Sequence, residues 1–163
     1  MDTFIDKLKY GQDLENEIMR KLTNLGFVIL PLSNLPSGQF RGPRLMSPSG
    51  DIVSPDIMAI KDGKAIFIEI KRKAYPSFHR ATGEWTSRIE DRLYKNYSIL
   101  SEASGLPVWV ITKIEDGNDI CENLKGPTGL FIWVIDGTEK IHHRYGDHIY
   151  IGLNDSVELE EVI

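Results

Sequence analysis

Cys121 is the single cysteine among 163 residues. One thiol can form no intramolecular disulfide and no cysteine-based zinc site. No apolar run approaches the length needed to cross a bilayer, and the N-terminal residues, broken by Asp2, Asp6 and Lys7, lack the apolar stretch of a secretion signal. A soluble, cytoplasmic protein without a membrane partner is therefore expected. The chain also lacks a Walker-type Gly-Lys-Ser/Thr, a Gly-x-Ser-x-Gly and a Gly-x-Gly-x-x-Gly, which argues against nucleotide-driven enzymes, triad hydrolases and an organic cofactor. His142, His143 and His148 form no convincing metal set, because adjacent histidines on a strand point to opposite faces and no cysteine or carboxylate stands at ligand spacing.

The hydrophobic content of 41% and the absence of repeats fit one globular domain over residues 1–163. Its core is expected at about 11–135, with a mobile Pro/Gly/Ser-rich loop at about 31–54 and a C-terminal strand and short helix at about 147–163. A net charge of −5 counts against an indiscriminate binder of polyanions. The charge is unevenly spread, however. Residues 41–95 hold 11 Lys/Arg against 7 Asp/Glu, and the remainder holds 8 against 17.

The most informative stretch runs from Pro55 to Lys71, two apolar segments around Asp62-Gly63. An Asp-Gly pair suits a two-residue type I′ turn, which requires positive φ at both central residues. That turn sets Lys61 opposite Lys64, Ala59 opposite Ile66, Ile57 opposite Ile68, and Asp56 opposite Glu69. Lys71 falls on the same strand face as Glu69, while Ile66, Ile68 and Ile70 line the other. Two facing carboxylates destabilise a sheet unless a cation compensates. Mg²⁺ takes oxygen ligands and would remove that conflict, and the Lys71 ammonium could then orient water or offset charge on a phosphoryl transition state.

Upstream, Leu14, Ile18, Leu22 and Leu25 recur at helical spacing and Gly26 follows them, which predicts an amphipathic helix over 12–25. Glu15 lies nearer its apolar stripe than Glu17 does, so Glu15 is the carboxylate aimed inward.

Pro55-Asp56, Glu69-Ile70-Lys71, the helical Gly11-x-x-x-Glu15 and the Gly26-Phe27-x-x strand entry together resemble the PD-(D/E)xK nuclease superfamily, in particular its archaeal- and phage-type Holliday junction resolvases. The resemblance implies an α/β, restriction-endonuclease-like fold with an αβββαβ core, a mixed central sheet flanked by helices. It implies a divalent-metal-dependent deoxyribonuclease using Mg²⁺, with Mn²⁺ as a substitute. Asp56 and Glu69 would be metal ligands, the Ile70 backbone carbonyl a third, and Glu15 a further one directly or through water. Lys71 would be the water-orienting base or stabiliser. Junction cutting would require two sites acting together and hence a homodimer, although no residue pattern marks a dimer surface. The segment between the first strand and Pro55 is longer than in compact resolvases, which leaves the class of DNA substrate open.

Several cations and aromatics are candidates for holding DNA. Arg41 and Arg44 lie in the long loop. Arg72, Lys73, Tyr75, His79 and Arg80 follow the motif strand as a loop in which cations and aromatics interleave. Arg88, Arg92 and Lys95 share one face of a helix expected from about Thr86 to Glu102, whose apolar stripe is Ile89, Leu93, Tyr97 and Leu100. Lys95 is the candidate on that helix for a side chain reaching the metal site. Strands are expected at 27–30, 105–112, 129–135 and 148–153. The alternative to a nuclease is a non-catalytic nucleic-acid-binding or interaction module on the same fold.

Overall fold

The computed structural model describes residues 4–32, 43–48, 50–116, 124–139, 141 and 143–153, with the backbone alone for 4–10. The first helix, α1 (Phe4–Asn24), buries Leu14, Ile18 and Leu22 to within 1% of full enclosure, as their spacing requires. Gly26 ends it at φ 91°, a left-handed conformation that suits glycine. Strand β1 (Val28–Pro31) follows.

The segment before Pro55 is expected to be a loop, and its described part corrects that expectation. Strands β2 (Arg44–Leu45) and β3 (Ile52–Val53) pair into a short ribbon. Ile52 is buried and the Val53 amide donates to Oδ1 of Asn96, so burial and a backbone bond give the segment a fixed place. Arg41 lies outside the described residues.

Strands β4 (Ile57–Lys61) and β5 (Lys64–Lys73) form the hairpin in the expected register, from Lys61 opposite Lys64 to Ile57 opposite Ile68. Asp62 and Gly63 take φ values of 51° and 74°, as a type I′ turn demands.

Beyond β5 the expected loop and long helix both give way to strands. Strands β6 (Ser77–His79) and β7 (Glu84–Glu90) form a second hairpin, and α2 begins only at Asp91, running to Ser104. Residues 84–90 contain Trp85, Thr86 and Ile89, good strand formers. They also gain a second partner in the late strand β11 (His148–Gly152). Ile89 is buried in the strand, where a helical stripe would also bury it, which is why the periodicity runs unbroken across the junction. Arg88 is thus on a strand and does not share a helical face with Arg92 and Lys95.

Gly105, at φ 68°, caps α2 through its N–H to the Ser101 carbonyl, and β8 (Val108–Ile114), β9 (Gly129–Ile135) and β10 (His143–Tyr145) complete the described elements. The central sheet has the order β1-β4-β5-β8-β9, with β5 and β8 parallel and the other neighbours antiparallel. A second sheet has the order β10-β11-β7-β6. This is a mixed α/β architecture whose central sheet is flanked by helices. On one face α1 packs on Ile57, Ile66, Ile68, Ile70 and Ile111. On the other, Leu93, Tyr97 and Leu100 of α2 join Phe67, Val110, Trp133, Ile149 and Ile151. The expected terminal helix lies outside the described residues. No helix among the described residues is long and apolar enough to cross a membrane.

Candidate active site

The site lies where β4 stops and β5 continues. Extending the register one step past Ile57 and Ile68 brings Asp56 opposite Glu69, and one more step brings Pro55 opposite Ile70. In that position an ordinary residue would exchange both backbone hydrogen bonds with Ile70. Pro55 has no N–H to give. Oδ2 of Asp56 accepts the Ile70 amide at 2.6 Å instead, and the Asp56 carbonyl accepts from the Leu32 amide at 2.8 Å. The N–H and carbonyl of one strand residue point the same way, so the Ile70 carbonyl faces the Asp56 side with no proline donor to occupy it.

Glu69 is 5% exposed and held at both oxygens. Oε1 takes the Lys71 ammonium at 2.5 Å, and Oε2 takes the Tyr97 hydroxyl at 2.5 Å. Tyr97 is fully enclosed, and its phenol is pushed well above the ordinary range by burial first and by the Glu69 charge second. It donates and does not ionise. Burial acts to lower Lys71, but the charge and hydrogen bond of Glu69 outweigh it and hold the ammonium above its usual value.

Asp56 shows the conflict between a partly buried acid and a buried one. Its carboxyl is pushed up to about 8, mostly by burial and next by Glu69, against the opposing pull of the Ile70 amide. Glu15 is also raised, by burial and then by Glu69, which places it within electrostatic reach of the pair. Glu17 points elsewhere: it accepts from Nζ of Lys113 at 2.7 Å, and that bond lowers its carboxyl.

The donor set suits a hard divalent cation. Asp56 has a second oxygen beyond the one on Ile70, Glu69 is an oxygen donor now satisfied by an ammonium, and the Ile70 carbonyl points the same way. A cation would offset the burial and the Glu69 charge that together raise the Asp56 carboxyl. Among the described residues no three Asp, Glu, His or Cys side chains gather as a ready cage.

The other candidates are dispersed. Lys95 pairs with Asp91 one helical turn away and is 64% exposed, so it does not reach the site, and Tyr97 is the residue of α2 that does. Sequence periodicity makes Tyr97 a core residue, and its hydroxyl was the one signal that it could do more. Arg92 is exposed and 4.0 Å from Glu90. Arg72 is held by Glu115. His79 is built into a ring stack on His143, with centroids 3.8 Å apart, and its Nδ1 meets the Thr82 hydroxyl at 2.8 Å. Arg80 stands in the exposed β6–β7 turn, and Arg44 is on β2. Lys73, Tyr75 and Arg88 line a cavity at the end of β5.

No protein-family model matches the sequence, and no curated protein sequence does. Among solved structures the chain is similar to Hjc, a Holliday junction resolvase from the archaeal hyperthermophile Archaeoglobus fulgidus. The TM-score is 0.57 at 14% identity, over 94% of each chain. The fold is the restriction-endonuclease-like fold of that resolvase.

Proposed function

We propose that the protein is a divalent-metal-dependent nuclease that hydrolyses DNA phosphodiester bonds, with Asp56, Glu69 and the Ile70 carbonyl as metal ligands and Lys71 as a catalytic residue. The observation that carries this reading is the meeting of partly buried Asp56 with buried Glu69, two acids whose only adjoining cation is Lys71 among the described residues. A structural site would not ordinarily retain such a conflict, whereas functional sites collect groups with strongly shifted proton affinity. The likeness in fold to a resolvase agrees with it.

Mg²⁺, or Mn²⁺ in its place, would supply Lewis-acid assistance to the phosphoryl group. The protein's own residues do the rest. Tyr97 fixes one oxygen of Glu69, so the carboxylate keeps its orientation when its other partner moves. Lys71 stays charged, which suits it to stabilise developing negative charge and to orient water more than to remove a proton at neutral pH. Glu15 on α1 feels the charge of Glu69 and would join the ligands directly or through water. Cutting of a four-way junction by paired sites in a homodimer is the finer form of the proposal.

The test incubates wild type and Lys71→Ala with labelled single-stranded DNA, duplex, four-way junction and RNA, with Mg²⁺, Mn²⁺ or chelator. Metal-dependent DNA cleavage by wild type, lost in the variant, is expected. No cleavage under any condition would favour the non-catalytic binding module, and equal cleavage by both proteins would point to another site.

A further inference from the structure

Past Lys71, at the end of β5, is a cavity of about 180 Å³ walled by Arg72, Lys73, Tyr75, Ser77, Ser87 and Arg88. It forms where the end of β5 passes the β6–β7 hairpin, so both sheets contribute to it. Ser87 is 6% exposed, and its Oγ has no hydrogen-bond partner among the described residues. A buried hydroxyl without a partner is unfavourable and calls for one. Lys73 is partly buried and forms no ion pair among the described residues. Its ammonium is brought down to about 8, by burial first and then by Arg88 and Lys71, with Glu90 only partly opposing them. Arg72 adds a guanidinium already oriented by Glu115. The described lining residues therefore present hydrogen-bond donors and positive charge and include no Asp or Glu, with Glu115 paired to Arg72.

We propose that this cavity is a phosphate site that grips a phosphate of the polynucleotide beside the one being cut. Lys73 lies two residues from Lys71 on the same face of β5, a separation of about 7 Å along an extended strand. Successive phosphates of a polynucleotide are spaced comparably. Lys73 and Arg88 supply charge, the Ser87 hydroxyl supplies a directed hydrogen bond, and Tyr75, 42% exposed at the rim, offers a ring for the adjoining base. The proposal rests on the nuclease reading for the identity of its ligand, and the experiment separates the two.

Wild type, Lys73→Met and Ser87→Ala are melted in inorganic phosphate against chloride at equal ionic strength, then assayed for binding and cleavage. Phosphate should raise the melting temperature of wild type and not of Lys73→Met. Ser87→Ala removes an unpaired buried hydroxyl, so it should melt no lower than wild type in chloride yet respond less to phosphate, which a purely structural role would not produce. Oligonucleotides with each phosphate neutralised in turn as a methylphosphonate should reveal one position whose change weakens wild type by about tenfold and leaves Lys73→Met unaffected. If the same discrimination follows a 5′-phosphate against a 5′-hydroxyl, the site holds a terminal phosphate. Phosphate stabilisation that needs Lys73, in a protein that cuts nothing, would keep the site and remove the nuclease reading. Cleavage with unchanged KM in both variants, and no specific effect of phosphate, would overturn the site and leave the nuclease.

Discussion

Tyr97 donates its hydroxyl to Oε2 of Glu69 at 2.5 Å, joining the middle of α2 to the middle of β5 inside the protein. The other oxygen of that carboxylate is taken by Lys71. Glu69 is therefore oriented from two directions before any ligand arrives.

Replacing Tyr97 with Phe should expose how much that orientation matters. The ring still fills its space, but one oxygen of a buried carboxylate loses its donor. Unfolding free energy should fall by about 1–3 kcal/mol. Turnover should drop roughly tenfold, with a smaller change in KM, since a positioning group acts on the reacting geometry more than on substrate affinity. Denaturant melts and steady-state cleavage check both.

Asp56 sets a pH dependence in metal-free protein. Its folded-state proton affinity is raised from the ordinary carboxyl value of 3.8 to about 8. Between those limits the folded chain holds a proton that the unfolded chain has lost, so stability declines as pH rises from about 4 to about 8. Melting temperature in chelator should fall across this window. Asp56→Asn should flatten the profile, and an unchanged slope in that variant would assign the dependence to other groups.

Divalent ions should reverse the trend. Binding needs both acids ionised, so Mg²⁺ or Mn²⁺ should stabilise the wild type more at pH 8 than at pH 6. Asp56→Asn should remove the stabilisation. Calorimetry in each buffer, with Ca²⁺ to hold catalysis apart from binding, measures the effect.

Lys95 provides the contrast. It is mostly exposed and, among the described residues, paired only with Asp91 on its own helix. Lys95→Ala should change stability by no more than about 0.5 kcal/mol, and cleavage at saturating substrate should stay within twofold or so of wild type.

Gly126 tests packing next to the β6–β7 hairpin. A Cβ there would stand 2.7 Å from the Trp85 ring, which also meets Phe78 edge-on with centroids 5.1 Å apart. Gly126→Ala should displace Trp85 and cost about 1–3 kcal/mol. A thermal melt with tryptophan fluorescence reads both the cost and the displacement.

What could be read from the sequence divides along the range of the interactions. The β4–β5 hairpin was legible because Asp62-Gly63 and the alternation around it are local, and the approach of Asp56, Glu69 and Lys71 follows from that register. The inward lean of Glu15 was legible from helical phase. Strand β7 was not, because its pairing with β11 joins residues 84–90 to a segment near residue 150, while Ile89 satisfies both a helical and an extended pattern. The same misphasing placed Arg88, Arg92 and Lys95 on one face and pointed to Lys95, when the side chain reaching Glu69 is an aromatic two positions on. A tyrosine in an apolar stripe reads as core until its hydroxyl's partner on a distant strand is known.

Pro55 gives the sheet a chemical stop. An imino nitrogen cannot continue the zipper between the first two motif strands, so the pairing ends two residues short of where it would sequester a main-chain oxygen that the proposed ion needs. Any amide-bearing residue at that place would allow the strands to close further, and an open mouth between them would become ordinary sheet.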